Sequence, residues 1–305
     1  KDEQNVSRSV HTAMLLALGG GAIMTVIGLL ISPTLLVWMK TPPDTMAQSR
    51  DYVDIVFMAM IPGMVYNVGS AVLRAVGDSR RPLYFLIVSG VINAGLNMFL
   101  VIVFSLDVAG VAIATVVSQA ISCVLVLRCL YKSEGSYQLR FSKLCLKKDY
   151  IIPIFQVGIP AGIQSTVINF SNVLLQSSVN SFGSIAMAGN TASQNIEGFV
   201  YTSMNALYQT NLSFTSQNIG AEKYTRIKKI LATCQGVVVT VGLVLGFAAY
   251  LGGPWLLQVY SEDADVISYG LLRMSIICTT YFLCGVMDTM VGSIRGLGYS
   301  ILPTL

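Results

Sequence analysis

Long apolar stretches separated by short polar ones dominate the chain. A helix that crosses a membrane needs about 20 consecutive, mainly apolar residues. Eight stretches reach this length, and they lie near 12–39, 51–73, 83–105, 108–131, 151–180, 184–215, 227–251 and 266–293. The pattern therefore predicts eight membrane-spanning helices. The longest polar stretch, 132–150, lies between the fourth and the fifth of them.

The basic residues are distributed unevenly among the polar stretches. Cytoplasmic loops of membrane proteins are rich in Lys and Arg. With the first helix starting inside and the helices alternating in direction, 16 of the 19 Lys and Arg residues fall on the inner side. The other three lie near the outer ends, and they are Lys40, Arg50 and Arg273. The charges therefore predict three cytoplasmic loops, at 74–82, 132–150 and 220–229.

The composition agrees with a membrane location. Hydrophobic residues make up 54% of the chain and charged residues only 11%, whereas an average soluble domain has about 25% charged residues. A soluble surface needs more polar side chains than this. We expect a multi-pass protein of the cell membrane. The net charge of +4 does not indicate a nucleic-acid partner, because the basic residues lie in specific loops.

The chain contains an internal repeat. The segment at 73–83 recurs at 294–304, with Arg, Gly, Ser and Pro at matching positions, and Asp44 matches Asp265 at the same spacing. The first two helices thus repeat as the seventh and eighth, which gives a repeat unit of six helices. An even number leaves both copies in the same orientation, related by an axis along the membrane normal.

This repeat predicts an all-α integral membrane fold with two parallel six-helix lobes related by a pseudo-two-fold axis. Eight of the helices are present here. We expect the first lobe to include 1–131, a cytoplasmic linker to cover 132–150, and the second lobe to include 151–305. Completing both lobes requires two helices before Lys1 and two after Leu305, so we expect a fragment of a longer chain.

Four segments resemble motifs of the MATE (multidrug and toxic compound extrusion) transporters. They are 74–79 with Pro82, 108–115 with 118–119, 217–221 with Lys223 and Arg226, and 295–298. The resemblance implies twelve helices in the full protein and export of cationic or amphipathic small molecules in exchange for protons or sodium ions. It implies no bound cofactor, since the transported H⁺ or Na⁺ is the coupling ion. We expect small-molecule substrates and membrane lipids as partners, and a monomer.

Ionisable groups inside the bilayer are candidates for ion coupling, because a buried charge is costly unless it is neutralised. Glu197 lies midway along the sixth predicted helix, and Asp288 lies two turns from the cytoplasmic end of the eighth. A bound proton or cation would neutralise either carboxylate, and the alternative role is an acid paired with a neighbouring polar helix. Asp51, Asp54 and Arg273 lie nearer the outer ends and are interpreted as interface anchors, with a pair between Asp54 and Arg273 at the outer gate as the alternative.

A second polar set lies in the first lobe. Asn93 and Asn97 are one turn apart on the third helix, and Thr115 is on the fourth. Their spacing resembles an Asn, Asp and Thr site in one branch of the MATE family. Asn97 stands where that branch has Asp, and an amide cannot carry a proton. The set could therefore orient a water or a cation, or it could serve only interhelical hydrogen bonding.

Polar, aromatic and Met side chains at helical positions are candidates for a substrate cavity, because such side chains suit flat organic cations. These residues are Tyr66, Asn67, Gln164, Asn169, Asn190, Gln194, Tyr201, Asn205, Gln209 and Met287. The default for any one of them is a lipid-facing or core-facing position. Pro62 and Pro160 are expected to interrupt the second and fifth helices.

Three other classes of protein fit the sequence less well. A lipid-linked oligosaccharide flippase of the same superfamily would share the architecture but would line its cavity with basic residues. A membrane enzyme or a metal site is disfavoured, because His11 is the single histidine and the six cysteines are scattered. An ATP-driven pump is disfavoured because no phosphate-binding GxxxxGK[ST] segment is present. The energy for transport is therefore expected to come from an ion gradient.

Overall fold

The computed structural model describes residues 2–38 and 45–304. Three residues used in the sequence analysis lie outside the described residues. They are Lys1 and Lys40, which were counted in the charge distribution, and Asp44, which belongs to the repeat. The chain divides into two compact units, Lys1–Ile154 and Phe155–Leu305. Every regular element within the described residues is a helix.

Unit 1 contains five α-helices. They are α1 (Asp2–Trp38), α2 (Met46–Met58), α3 (Met60–Ala75), α4 (Arg80–Ile102) and α5 (Asp107–Lys132). Apolar side chains from α1, α3 and α5 form the core, together with one residue that follows α5. The fully buried members of this core are Met14, Ala17, Val65, Leu73, Val126, Leu130 and Leu139.

The second predicted span is divided into α2 and α3 at Ala59. Pro62 lies in the first turn of α3 and lacks the N–H that would bond the carbonyl of Met58 in a continuous helix. The N–H of Ala59 bonds the carbonyl of Val56 at 3.0 Å instead, which tightens the last turn of α2. The sequence therefore predicts this interruption correctly. The expected interruption at Pro160 is absent, because one continuous helix runs through that position.

Unit 2 contains the other five helices. They are α6 (Lys148–Asn180), whose first turns belong to unit 1, then α7 (Ser184–Gly220), α8 (Tyr224–Leu251), α9 (Gly253–Gln258) and α10 (Ala264–Gly296). The core lies between α7, α8, α9 and α10. Its buried members are Ala192, Ile196, Val200, Ala249, Leu257, Met274 and Cys278.

Seven helices in the described residues are long and apolar enough to cross a membrane, with α2 and α3 counted together as one span. The predicted sixth span, 184–215, is present as α7 and is long enough, but it is too polar to be among the seven. Its polar residues include Asn190, Ser193 and Glu197, which are buried inside unit 2. A helix can carry such a face across a bilayer when neighbouring helices cover it.

The segment after α5 packs against unit 1 rather than extending away from it. Leu139 is fully buried in the core. The N–H of Arg140 donates to Nε2 of His11 at 3.0 Å, and the hydroxyl of Thr12 donates to the carbonyl of Cys145 at 2.9 Å. Much of the expected linker 132–150 is therefore anchored on the start of α1.

The repeated segments end their helices in the same way. Gly77 follows α3 with φ +91° and Gly298 follows α10 with φ +93°, a backbone conformation that favours glycine. The N–H of the next residue bonds a carbonyl five positions back in both segments, at 2.9 Å for Asp78 and 3.1 Å for Tyr299. The matching sequence thus encodes a matching helix terminus.

Candidate ion-coupling site

Glu197 of α7 and Arg273 of α10 form a buried ion pair in unit 2. Nε of Arg273 lies 2.9 Å from Oε1 of Glu197, and Nη2 lies 2.9 Å from Oε2. The Glu197 side chain is only 7% exposed and that of Arg273 is 29% exposed. This two-point geometry is the strongest form of an Arg–carboxylate contact. Both oxygens of the predicted coupling acid are therefore occupied by a guanidinium.

Neutral side chains complete the surroundings of this pair. Ser193 donates its hydroxyl to Oε1 of Glu197 at 3.0 Å. Nη1 of Arg273 donates to Oδ1 of Asn190 at 2.8 Å, and Nδ2 of Asn190 donates to Oε1 of Gln176 on α6 at 3.1 Å. The network joins α6, α7 and α10. Arg273 is therefore not the interface anchor that its position near the start of α10 suggested.

Asp288 of α10 has a different environment. Its carboxylate is half-buried and has no hydrogen bond or ion pair with any described residue. Arg295 lies two turns further along α10. The guanidinium of Arg295 donates to the hydroxyl of Tyr208 at 2.9 Å and to the side-chain oxygen of Gln164. Asp288 thus combines partial burial with a carboxylate that is free to bind an ion.

The predicted polar set of unit 1 is brought together by the fold. Nδ2 of Asn97 donates to Oδ1 of Asn93 at 3.1 Å, and Nδ2 of Asn93 donates to the hydroxyl of Ser118 at 3.2 Å. Thr115 donates to a carbonyl of its own helix but lines the same cavity as Asn93. Oδ1 of Asn97 is buried and has no hydrogen-bond partner. This arrangement offers one unused acceptor and no carboxylate.

The cavity beside this set has a volume of about 400 Å³. Tyr66 and Asn67 of α3, two of the predicted substrate-cavity residues, line it. The hydroxyl of Tyr66 donates a hydrogen bond to the carbonyl of Pro82 at 3.1 Å. Gln119 and Ser122 of α5 also contribute to the lining. The residues that line it are uncharged.

The other substrate-cavity candidates lie in unit 2 and do not form one group. Asn190 belongs to the network around Glu197, and Gln164 binds Arg295. Asn205 is half-buried. The remaining candidates have exposed side chains, and they are Asn169, Gln194, Tyr201, Gln209 and Met287.

Sequence reasoning missed Ser193 and the inward role of Arg273. A signal for the first was present, because Asn190, Ser193 and Glu197 have the spacing of one helical face. No comparable signal pointed to Arg273. Its long side chain extends from α10 to a residue 76 positions earlier in the chain, and only the packing of α7 on α10 creates that contact.

Comparisons with known proteins agree with this architecture. The chain is 27% identical over its whole length to the probable multidrug resistance protein YoeA of Bacillus subtilis, covering 67% of that protein. It is 29% identical to the probable multidrug resistance protein YpnP of the same organism, where 93% of the chain covers 62% of the relative. The chain therefore spans about two thirds of the length of these curated relatives.

A solved structure shares the fold. A mutant of the MATE transporter VcmN of Vibrio cholerae aligns with 99% of this chain at a TM-score of 0.88 and 18% identity, and 71% of that structure is covered. The predicted fold class, an all-α integral membrane protein, is thereby confirmed. The family profile described as MatE matches residues 1–99 and 160–305, and the chain therefore belongs to the MatE family.

Proposed function

We propose that this chain is part of a secondary multidrug efflux transporter. It exports cationic or amphipathic small molecules in antiport with protons or sodium ions, by alternating access, and it acts as a monomeric transporter rather than an enzyme. The relatives' names, probable multidrug resistance proteins, support multidrug efflux. The observation that carries the mechanism is the half-buried carboxylate of Asp288, which has no hydrogen bond or ion pair with a described residue.

An unpaired carboxylate at this position can couple the transport of one cation to the transport of another. An ionised group inside the membrane is costly, and either a bound proton, a sodium ion or a cationic substrate would offset that cost. These occupants exclude each other at a single carboxylate. The state of the carboxylate would then bias the protein between two conformations, because each occupant stabilises them to a different extent. No bound cofactor is needed, since the coupling ion is itself transported.

Glu197 would contribute to coupling through its ion pair. In the described conformation Arg273 donates hydrogen bonds to both carboxylate oxygens of Glu197. A proton or sodium ion can therefore replace Arg273 only in a conformation that separates α7 from α10. We propose Asp288 as the primary coupling group and Glu197 as a second one that acts after Arg273 moves away.

The amide set of unit 1 would orient rather than carry an ion. Asn97 cannot take up a proton at neutral pH, but its unpaired Oδ1 can accept from a water or contact a cation. Asn93 and Thr115 line the adjacent cavity, and Tyr66 and Asn67 line it from α3. We propose that this cavity holds water or part of a substrate, while the carboxylates of unit 2 carry the coupling.

A flippase for lipid-linked oligosaccharides is the alternative function. It would need several unneutralised basic side chains to bind a pyrophosphate. On α10, Arg273 is neutralised by Glu197, and the guanidinium of Arg295 makes hydrogen bonds to neutral partners. One such side chain supports anionic cargo less well than Asp288 supports cationic cargo.

Ethidium efflux from cells that express the full-length protein tests the proposal. We expect Asp288→Asn to abolish efflux at matched expression. Asp265→Asn should have no effect, because it removes an exposed carboxylate from the first turn of the same helix. Collapsing the proton and the sodium gradients separately identifies the ion.

Each other outcome has a distinct meaning. If the wild type moves no dye under either gradient, multidrug antiport is wrong and flippase activity should be assayed. If dye moves and Asp288→Asn is fully active, the transporter survives but Asp288 is not its coupling group. If Glu197→Gln alone stops efflux while its thermal unfolding midpoint stays that of the wild type, the roles of the two carboxylates are reversed.

A further inference from the structure

A groove opens at the end of unit 1 that the loop charges place in the cytoplasm. It lies between the start of α4 and the end of α5, and the segment after α5 closes one side of it. Its volume is about 650 Å³. The side chains that define it are Arg81, Phe85, Leu125, Arg128, Lys132 and Tyr137. All of them lie outside the ion-coupling site.

The groove is positively charged, and its basic side chains are incompletely neutralised. Nε of Arg81 lies 3.1 Å from Oδ2 of Asp78. Arg128 and Lys132 are one turn apart on α5, both are exposed, and neither has a hydrogen bond or ion pair from its side chain to a described residue. Glu134 is the one acidic residue in the lining, against three basic ones. Such a groove attracts an anion.

The groove is also apolar on its deeper side. α4 leaves the cytoplasmic end of the unit and α5 returns to it, so the two helices run in opposite directions. Phe85 lies about 6 Å along α4 from Arg81, and Leu125 lies about 10 Å along α5 from Lys132, at a rise of about 1.5 Å per residue. Both helices therefore place a cation at the surface and an apolar side chain about one to two turns deeper.

The placement of cations at the surface and apolar side chains deeper in the groove matches a phospholipid of the inner leaflet. We propose that the groove binds the headgroup of an anionic phospholipid, with its phosphate at Arg128 and Lys132 and the start of an acyl chain along Leu125 and Phe85. Anionic lipids concentrate on the cytoplasmic leaflet, where basic residues bind them. A soluble phosphate would use the cations and leave the apolar wall unused, which favours the lipid. The bound lipid would join α4, α5 and the segment after α5.

Native mass spectrometry of the full-length protein in detergent tests this site. The protein is titrated with phosphatidylglycerol and with phosphatidylcholine of the same acyl chains. The test variant is Arg128→Gln with Lys132→Gln. The control is Lys147→Gln with Lys148→Gln, which removes the same charge from exposed residues on the same side but outside the groove.

We expect the wild type and the control to form a phosphatidylglycerol adduct that phosphatidylcholine does not match. The test variant should need at least about tenfold more phosphatidylglycerol for the same occupancy, because two surface cations each contribute to the binding of an anionic lipid. Its thermal unfolding midpoint should equal that of the control, since the substituted side chains are exposed. Leu125→Asn should weaken the lipid adduct through the apolar wall alone.

Four results would overturn the proposal. They are equal loss of the adduct in test and control variants, no preference for the anionic lipid, no adduct on the wild type, and full displacement of the lipid by equimolar glycerol phosphate. The last result would indicate a site for a soluble anion. None of these results bears on ethidium efflux, so the lipid site and the transport function fail separately.

Discussion

Glu197 and Arg273 show how burial changes the value of an ion pair. This pair is more buried than the pairs Arg50–Asp54 and Arg81–Asp78. Removing one partner of a buried pair leaves an uncompensated charge away from water, which costs far more than the pair contributes when it is complete. The surface pair Arg50–Asp54 spans 3.6 Å and has an Arg side chain that is 59% exposed.

We expect Arg273→Gln to lower the free energy of unfolding by about 3 kcal/mol, because it strands the carboxylate of Glu197. Arg50→Gln, the matched control, should cost about 0.5 kcal/mol or less. Thermal unfolding of the purified protein in detergent measures both. The double variant Arg273→Gln with Glu197→Gln should recover part of the loss, and equal stability of single and double variants would contradict the role of the pair.

The amide set of unit 1 contains hydrogen-bonded side chains and no ionisable group. Asn93→Ala removes the acceptor for Asn97 and the donor for Ser118, so we expect a loss of about 1 kcal/mol in unfolding free energy. Efflux should remain coupled to the same ion, since no group in this set carries a proton. Loss of gradient dependence in an efflux assay of Asn93→Ala would show that the set takes part in coupling directly.

At the scale of elements, α8 and α10 approach each other through glycine. A Cβ on Gly246 would overlap the carbonyl oxygen of Cys278, and one on Gly242 would lie 2.8 Å from Cβ of Phe282. Small residues four apart permit such close contact between membrane helices. Gly236 of the same helix has open space around it. The spacing of Gly242 and Gly246 therefore serves packing against α10.

We expect Gly246→Ala to lower the free energy of unfolding by about 2 kcal/mol, because the new methyl group overlaps the backbone of α10. Gly236→Ala makes the same chemical change in open space and should leave stability unchanged or raise it by up to about 1 kcal/mol through helix propensity. Thermal unfolding in detergent distinguishes the two variants. A similar midpoint for both would show that the close approach is not maintained.

The helices also differ in how well their positions and contacts could be predicted from the sequence. The apolar stretches predicted the positions of most helices correctly, because the length of an apolar stretch is a local property of the sequence. The sixth predicted span is present as α7, and it is more polar than the other spans because its buried polar face is covered by other helices of unit 2. The anchoring of the segment after α5 was not predicted, because it depends on His11 and Thr12, which are far away in the sequence.

At the scale of the whole molecule, the loop charges predict which ends face the cytoplasm. We expect the Glu134→Cys variant to react with a membrane-impermeant maleimide only after cells are permeabilised, and the Glu262→Cys variant to react in intact cells. Both positions are exposed, and the six native cysteines require the unsubstituted protein as the control. Reaction of the Glu134→Cys variant in intact cells would reverse the predicted orientation.

The sequence by itself determined the membrane location, most helix bounds and the repeated helix terminus at Gly77 and Gly298. These properties depend on residues that are close together in the chain. It also named Asp288 and Glu197 as candidates, since an acid inside an apolar helix is visible without a structure. Only the tertiary structure decided that Arg273 neutralises Glu197 while Asp288 stays unpaired, because that difference depends on which helix faces meet.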